Sequence, residues 1–317
     1  MQELQVLEVA SVRRPRLEAG AESLLEAFLS GRSPQTVDAY RRDLEDFAAY
    51  CGVQGPARAA EELLAAGGGE ANLLALRYRA ALLDRGLSPA TVNRRLASLR
   101  SMVKVARTVG LITFALDVAN VRSQAYRDTR GPGVDGYRSL LEALQCRTDA
   151  KGARDRAMLH LLFDLGLRRA EVVSLDLAHL DLAGGSVSVM GKGRRERVSL
   201  TLPAPTIAAL ASWLTFRGEE DGALFVSLGK GGRVGGRLTG RGLHKIIAGI
   251  GHMVGLSVWP HAIRHSSITA ALDLTGGDVR ACARFSRHAD IRVLTRYDDS
   301  RQDHAGRIAA LVAGQTV

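Results

Sequence analysis

The sequence predicts a mainly α-helical protein with a small antiparallel β-sheet, divided into two domains. Three observations carry this reading. Apolar residues recur at helical spacing along much of the 317-residue chain, twice after a Ser-Pro start signal, at Ser33-Pro34 and Ser88-Pro89. Residues 186–201 instead alternate as two strands around a glycine-bracketed turn. The sequence has no internal repeat, and it lacks the strand–helix alternation of a parallel sheet.

Residues 1–19 lack a clean period and are expected as a flexible arm. After Ser33-Pro34, Val37, Tyr40, Leu44 and Phe47 form an apolar stripe. The glycine-rich run at 67–70 reads as a loop, and a helix over about 72–84 ends at Arg85-Gly86. Ser88-Pro89 opens a further helix with the stripe Val92, Leu96, Leu99 and Val103. A helical domain is therefore expected over 20–115. Periodicity fades over 113–136, which contains Arg130-Gly131-Pro132-Gly133, so 116–133 reads as a linker and 134–317 as the second domain. There a helix runs from about Arg154 to Leu165 and stops at Gly166, and another begins near Arg168. Ser186–Met190 and Arg197–Thr201 alternate as strands joined by Gly191-Lys192-Gly193-Arg194. Helices dominate from about 204 onward, the last over His304–Ala313 with Ile308, Leu311 and Val312 on one face.

Composition narrows the function. Hydrophobic residues make up 46% of the chain, enough for two cores, but aromatics are 5%, too few for a stacking platform on single-stranded nucleic acid. The net charge of +10 points to a polyanionic partner, with nucleic acid ahead of an anionic membrane. Residues 1–125 carry 16 basic and 14 acidic residues and the rest 27 and 19, so the second domain holds most of the excess. From Arg85 to Arg107 there are six basic residues and no acidic one, and Arg94, Arg95, Arg100 and Lys104 are read as contacts to a phosphate backbone. Cys51, Cys146 and Cys282 stand in no paired or metal-like spacing, which fits a reducing compartment. The acidic N-terminus is unlike a signal peptide, and no apolar run approaches the roughly 18 residues of a membrane span. A cytoplasmic protein without a membrane partner is expected.

Four places in the second domain carry chemistry. In Gly166-Leu167-Arg168-Arg169-Ala170-Glu171 an arginine follows a helix stop, with Glu171 placed to orient it; arginine grips phosphate oxygens in pairs. Lys192 stands between glycines at the hairpin tip. In Trp259-Pro260-His261-Ala262-Ile263-Arg264-His265, His261 and Arg264 share a helical face; Arg264 between the two histidines disfavours zinc there. His288 precedes Tyr297 by nine residues. Taken singly, each has an ordinary reading: a surface Arg–Glu pair, an exposed turn lysine, a tyrosine on an amphipathic face. Together, in a basic domain, they suit phosphoryl transfer. Two guanidiniums stabilise charge, a tyrosine serves as nucleophile and a lysine as general acid.

The stretches GLRRAEVVSL, GKGRRERVSL, HAIRHSSITAAL and SRHADIRVLTRY resemble, in order and spacing, those of tyrosine recombinases of the phage integrase family, of the Xer, Cre and λ-integrase type. SPQTVDAYRRDLEDFAAYC and RGLSPATVNRRLASLRSMVKVARTVGLI resemble that family's helical, SAM-like core-binding domain, and the likeness covers roughly residues 20–317. It implies an α+β catalytic domain and no cofactor. Arg168 and Arg264 would hold the scissile phosphate, supported by Glu171. Lys192 would protonate the leaving 5′-oxygen, and His261 would serve as base or hydrogen-bond partner. His288 would donate to the phosphate, and Tyr297 would form a 3′-phosphotyrosine. LTGRGLHKIIAGIGHMVG resembles a DNA-contacting helix, which makes Arg241 and Lys245 candidate contacts. The implied partner is double-stranded DNA with inverted-repeat half-sites, bound by a homotetramer or with a paired recombinase, whose C-terminal helix docks into a neighbour. Arg287 departs from the pattern, because many relatives have glycine before this histidine, and the Asn-Pro turn of the linker is missing. Both departures favour a mobile-element or plasmid-borne recombinase over a housekeeping one. Two rival readings are a non-catalytic DNA-binding protein on the same scaffold and a type IB topoisomerase. The complete residue set weighs against the first and the Xer-like N-terminal domain against the second.

Overall fold

The computed structural model describes residues 17–122, 131–191, 196–229, 234–288, 290–291, 294 and 313. The chain divides into two compact units, Met1–Ala125 and Tyr126–Val317.

Within the first unit the described residues form five helices: α1 (Leu17–Leu29), α2 (Pro34–Cys51), α3 (Gly55–Ala65), α4 (Gly67–Asp84) and α5 (Pro89–Thr108). Ser33 and Ser88 act as the start signals require. Each has extended backbone, and its hydroxyl accepts the N–H of Thr36 or Thr91, satisfying a donor that the first turn leaves open. The stripes meet in one core of Leu44, Phe47, Leu63, Tyr78, Leu82, Leu96, Leu99 and Val103. Helix α1 begins at Leu17, inside the segment expected as an arm.

One expectation about this unit is corrected. The glycine run at 67–70 is the first turn of α4 and not a loop. Packing overrides glycine's weak helix propensity here. A Cβ at Gly68 would stand 3.0 Å from the Phe114 side chain, which packs against the helix start, and Ala71, Ala75, Tyr78 and Leu82 anchor the rest of α4 in the core. The aperiodic stretch from 115 to 121 is also held. Asn72 Oδ1 accepts the Asp117 N–H at 2.7 Å, Asn93 Oδ1 accepts the Val121 N–H at 2.7 Å, and Leu116 and Val118 are buried in the core. Side-chain amides replace the backbone ladder there, so the segment is ordered without a period.

The second unit contains α6 (Gly133–Glu142), α7 (Ala150–Phe163), α8 (Arg169–Val173), α9 (Ala204–Arg217), α10 (Gly240–Met253), α11 (Pro260–Leu274) and α12 (Val279–Ser286). Asp149 caps α7 by accepting the Gly152 N–H at 2.7 Å, so this helix starts earlier than its apolar pattern suggested. It is the central helix of the unit, with Ala157, Met158, Leu159, Leu161 and Leu162 all buried. Strands β1 (Leu180–Asp181), β2 (Ser186–Met190) and β3 (Arg197–Thr201) form an antiparallel sheet in that order. Ser186 pairs with Thr201 and Met190 with Arg197, the register of the expected hairpin.

A second antiparallel pair, β4 (Val226–Leu228) and β5 (Val234–Arg237), lies in the region where helices were expected to dominate and no strand was read. It is short and glycine-rich, and tertiary contacts position it. Arg237 donates to the carbonyls of Val173 and Leu175 and pairs with Asp176, while Leu224 N–H bonds the Leu175 carbonyl at 2.9 Å. The fold class is therefore the expected one, mainly α with small antiparallel sheets. No described helix is long and apolar enough to cross a membrane.

The α2 acids Asp43 and Asp46 organise the polar side of the first unit. Asp46 accepts from the Tyr78 hydroxyl at 2.7 Å, from Arg85 at 2.7 Å and from Arg95. Burial alone would raise its pKa, but the hydrogen bonds from Arg85 and Tyr78 outweigh it and hold the carboxyl below the usual carboxylate range. Tyr78 is fully buried, so truncating Asp46 strands its hydroxyl. Asp46→Ala is predicted to destabilise the protein by about 2 kcal/mol, whereas Lys104→Ala changes stability by less than about 0.5 kcal/mol. Urea unfolding of both variants checks this; equal midpoints would refute it.

Candidate active site

The site is built where α7 ends. Gly166 has φ +53°, in the left-handed region, and turns the chain after Phe163 so that its carbonyl faces α11. That carbonyl accepts from two arginines, Arg264 Nη1 and Arg287 Nη2, the latter at 3.0 Å. A side chain at 166 would be strained by the backbone and would press on Phe285 and Ser267.

Arg168 follows at the N-cap of α8. Its backbone N–H donates to Glu171 Oε2 at 2.8 Å, its Nη1 to Glu171 Oε1 at 2.7 Å, and its Nη2 to the Arg287 carbonyl at 3.1 Å. Glu171 is 3% exposed. Burial would raise its pKa, but the Arg168 N–H, the charge of Arg287 and the Arg168 guanidinium prevail and keep it an anion below the usual range. A buried carboxylate held this way fixes the plane of the Arg168 guanidinium.

Helix α11 starts at Pro260 and places His261 and Arg264 one turn apart. Arg264 is 1% exposed and donates to the carbonyls of Gly166 and Ser286 and, at 3.4 Å, toward His288 Nε2. The Ser286 hydroxyl donates to the Cys282 carbonyl at 2.6 Å and lies 2.7 Å from His288 Nδ1. Ser286 therefore accepts from Nδ1–H, an assignment made from the hydrogen-bond network, and Nε2 is left as the acceptor facing Arg264. Burial and then the charges of Arg264 and Arg168 push the His288 pKa down to about 4. The resting imidazole is therefore neutral. His261 reaches solvent, yet desolvation of its inner side and the Arg264 and Arg168 charges lower its pKa as well.

The structure thus brings Arg168, Glu171, His261, Arg264 and His288 together. Lys192 and Tyr297 lie outside the described residues, as do 304–312 of the expected last helix. Among the described residues no group of three or more His, Cys, Asp or Glu side chains could hold a metal ion.

The DNA-contact candidates divide. Arg241 and Lys245 are exposed on α10, whose other face buries Leu243, Ile247 and Ile250. Lys104 is exposed on α5. Arg94 is paired with Asp43, Arg95 with Asp46, and Arg100 donates to the Val118 carbonyl and to Asn120. The uniformly basic face read from residues 85–107 is corrected accordingly. Its missing acids come from α2, about 50 positions earlier in sequence, where a count along α5 does not see them.

Sequence reasoning noted Arg287 only as a departure from a pattern, yet the structure gives it a place in the site. It has φ +55°, and among the described residues it is the one non-glycine in the left-handed region. Its side chain is 6% exposed, and its guanidinium bonds the carbonyls of Leu165, Phe285 and Gly166 as well as Glu171. The available signal was that departure itself: the resemblance implies glycine before this histidine, and glycine marks a backbone that other residues adopt only at a cost.

A family model described as "Phage integrase family" matches residues 134–304, and another, "Phage integrase, N-terminal SAM-like domain", matches residues 25–110. The chain is 40% identical over 282 residues to a tyrosine recombinase of Synechococcus elongatus, covering 87% of this chain and 88% of that protein. It is 34% identical over 299 residues to a tyrosine recombinase of Synechocystis sp., covering 92% and 95%. Its fold resembles the crystal structure of the XerH site-specific recombinase bound to palindromic difH substrate, with a TM-score of 0.63, 18% identity, and coverage of 94% and 96%.

The histidine environment predicts a pH dependence of the free protein. The unfolded chain takes up the His288 proton near pH 6.5 and the native chain only near pH 4. Between these values the unfolded state binds more protons, so this contribution to stability is complete above pH 6.5 and is lost as pH falls toward 4. His261 acts in the same sense. His288→Gln should therefore flatten the fall in Tm between pH 7 and 5 relative to wild type. Parallel Tm–pH curves would show that His288 does not titrate with a depressed pKa.

Proposed function

The chain belongs to the phage integrase family of tyrosine recombinases, and from that membership we propose that it cuts and rejoins DNA at specific sites through a 3′-phosphotyrosine intermediate. The observation that carries this reading is the convergence of Arg168 and Arg264 with two imidazoles, His261 and His288, on a rigid frame of carbonyls and the Glu171 carboxylate. Such preorganised donors suit a phosphodiester in transfer, because its developing charge is met without reorganisation.

Arg168 and Arg264 take the non-bridging oxygens of the scissile phosphate. The Tyr297 oxygen attacks phosphorus, forming the Oη–P bond as the P–O5′ bond breaks. The phenol proton passes to the neutral His261, and Lys192 supplies a proton to the departing 5′-oxygen. The phosphate anion raises the proton affinity of His288, so that Nε2 becomes a donor to it. The bond energy is kept in the phosphotyrosine, and attack by a 5′-hydroxyl from the partner duplex reverses the step without ATP. Strands exchange in pairs through a Holliday junction, within a homotetramer seated on inverted-repeat half-sites. The helical domain over 20–115 clasps one side of the duplex with Lys104 among its contacts, and α10 offers Arg241 and Lys245 from the other unit. Arg94, Arg95 and Arg100, tied to their own domain, serve mainly to shape that surface.

A suicide substrate, nicked near the cleavage point of the cognate site, tests this. Wild type should accumulate a covalent protein–DNA adduct. Tyr297→Phe should bind the site and form none. Arg168→Ala should bind within about threefold of wild type and cleave at least about 100-fold more slowly, as for loss of a transition-state charge donor. Absence of an adduct with wild type on its cognate site would overturn the proposal. Loss of binding in a folded Arg168→Ala would make that arginine a docking residue instead.

A further inference from the structure

Arg287 is chemically conspicuous. An arginine side chain at 6% exposure is costly unless its donors are met, and a non-glycine backbone at φ +55° adds strain. A residue whose role was only to end α12 would be better served by glycine, which adopts this conformation freely. The contacts show what the arginine adds. Nη1 donates to the carbonyls of Leu165 and Phe285, at 3.1 and 3.0 Å. Nη2 donates to the Gly166 carbonyl at 3.0 Å and to Glu171 Oε2 at 3.1 Å. The Arg287 carbonyl in turn accepts Arg168 Nη2 at 3.1 Å.

Two of these acceptors, Glu171 and the Gly166 carbonyl, also serve a phosphate-gripping arginine. Glu171 orients Arg168, and the Gly166 carbonyl orients Arg264. Main chain and side chain of Arg287 therefore join the anchors of both guanidiniums, and they tie the loop at 165–166 to the end of α12, one residue before His288.

We infer that Arg287 is a positioning residue for strand cleavage: its buried guanidinium cross-braces Glu171 and the Gly166 carbonyl, and so fixes Arg168 and Arg264 relative to each other in the geometry that grips the scissile phosphate. This rests on the recombinase reading and deepens it. The brace works through hydrogen-bond geometry, which a lysine at the same position cannot copy, since one ammonium cannot span the carbonyls and the carboxylate together. It also works through charge. Glu171 faces Arg168 and Arg287, so removing Arg287 makes this carboxylate easier to protonate and Arg168 easier to release from its anchor.

The test compares Arg287→Gly and Arg287→Lys with wild type in single-turnover cleavage of the suicide substrate from pH 5 to 9, alongside gel-shift binding and thermal melting. Arg287→Gly relieves the backbone strain. It should remain folded, bind the site within about threefold and cleave at least about 10-fold more slowly, with the acid limb of its rate–pH profile moved to higher pH. Arg287→Lys keeps the charge and should cleave slowly with the acid limb near that of wild type. A destabilised but otherwise intact site would lower the rate without moving the limb. The inference is overturned if wild type forms the adduct while Arg287→Gly cleaves within twofold of it with an unmoved limb. It is equally overturned if Arg287→Gly fails to fold and the folded Arg287→Lys cleaves like wild type. A wild type that forms no adduct would defeat the recombinase reading itself, a distinct outcome that takes the inference with it.

Discussion

The Glu171 carboxylate lies out of water between two guanidiniums, and the geometry of the site depends on keeping it there as an anion. A carboxylate at 3% exposure would ordinarily take up a proton. Here the backbone N–H of Arg168, the Arg168 guanidinium and Arg287 together hold it ionised. The dependence is mutual. Neutralising Glu171 would leave Arg168 without its orienting partner and Arg287 buried without its counter-charge, and both arginines also reach into the end of α12, where His288 begins. Removing one member of such a group costs more than the group contributes as a whole, because the charges left behind remain buried.

Arginine is used differently in the first unit and at the candidate active site. In the first, arginines of α4–α5 are neutralised by Asp43 and Asp46 or bonded to carbonyls of the 118–120 strap, so much of its positive charge serves the fold. At the candidate active site, Arg168, Arg264 and Arg287 are anchored mostly by carbonyls and one shared carboxylate. Backbone carbonyls orient a guanidinium without cancelling its charge, so the site retains positive potential for an incoming anion. Burial, and after it the same positive field, lowers the pKa of His261 and His288 and leaves neutral imidazoles beside the arginines.

Much of this was legible in the sequence, for identifiable reasons. Ser33-Pro34 and Ser88-Pro89 act locally, through a hydroxyl and the next turn, so the helices they open could be read directly. The 186–201 hairpin was legible from alternation and a turn. Arg168, His261, Arg264 and His288 stood out because their chemistry exceeds what a helix needs. What escaped is long-range. Gly67–Gly69 are helical because of what α4 packs against, and β4–β5 pair through anchors on residues 173–176. Arg94 and Arg95 looked available until Asp43 and Asp46 arrived from another helix. Arg287 carried a clue that needed the fold to interpret: a position suited to glycine, occupied by a side chain whose acceptors, apart from the Phe285 carbonyl, lie more than 100 residues earlier, in α8 and the loop before it.

The most direct test of the account is the identity of the covalent link. DNA trapped on the protein by a suicide substrate, digested with nuclease and trypsin, leaves a nucleotide remnant on one peptide that mass spectrometry can locate. The remnant should fall on Tyr297, in the tryptic peptide running from Tyr297 to Arg301. A remnant on a serine or any other residue, or stable cleavage with no covalent peptide, would contradict the proposed chemistry at its first step.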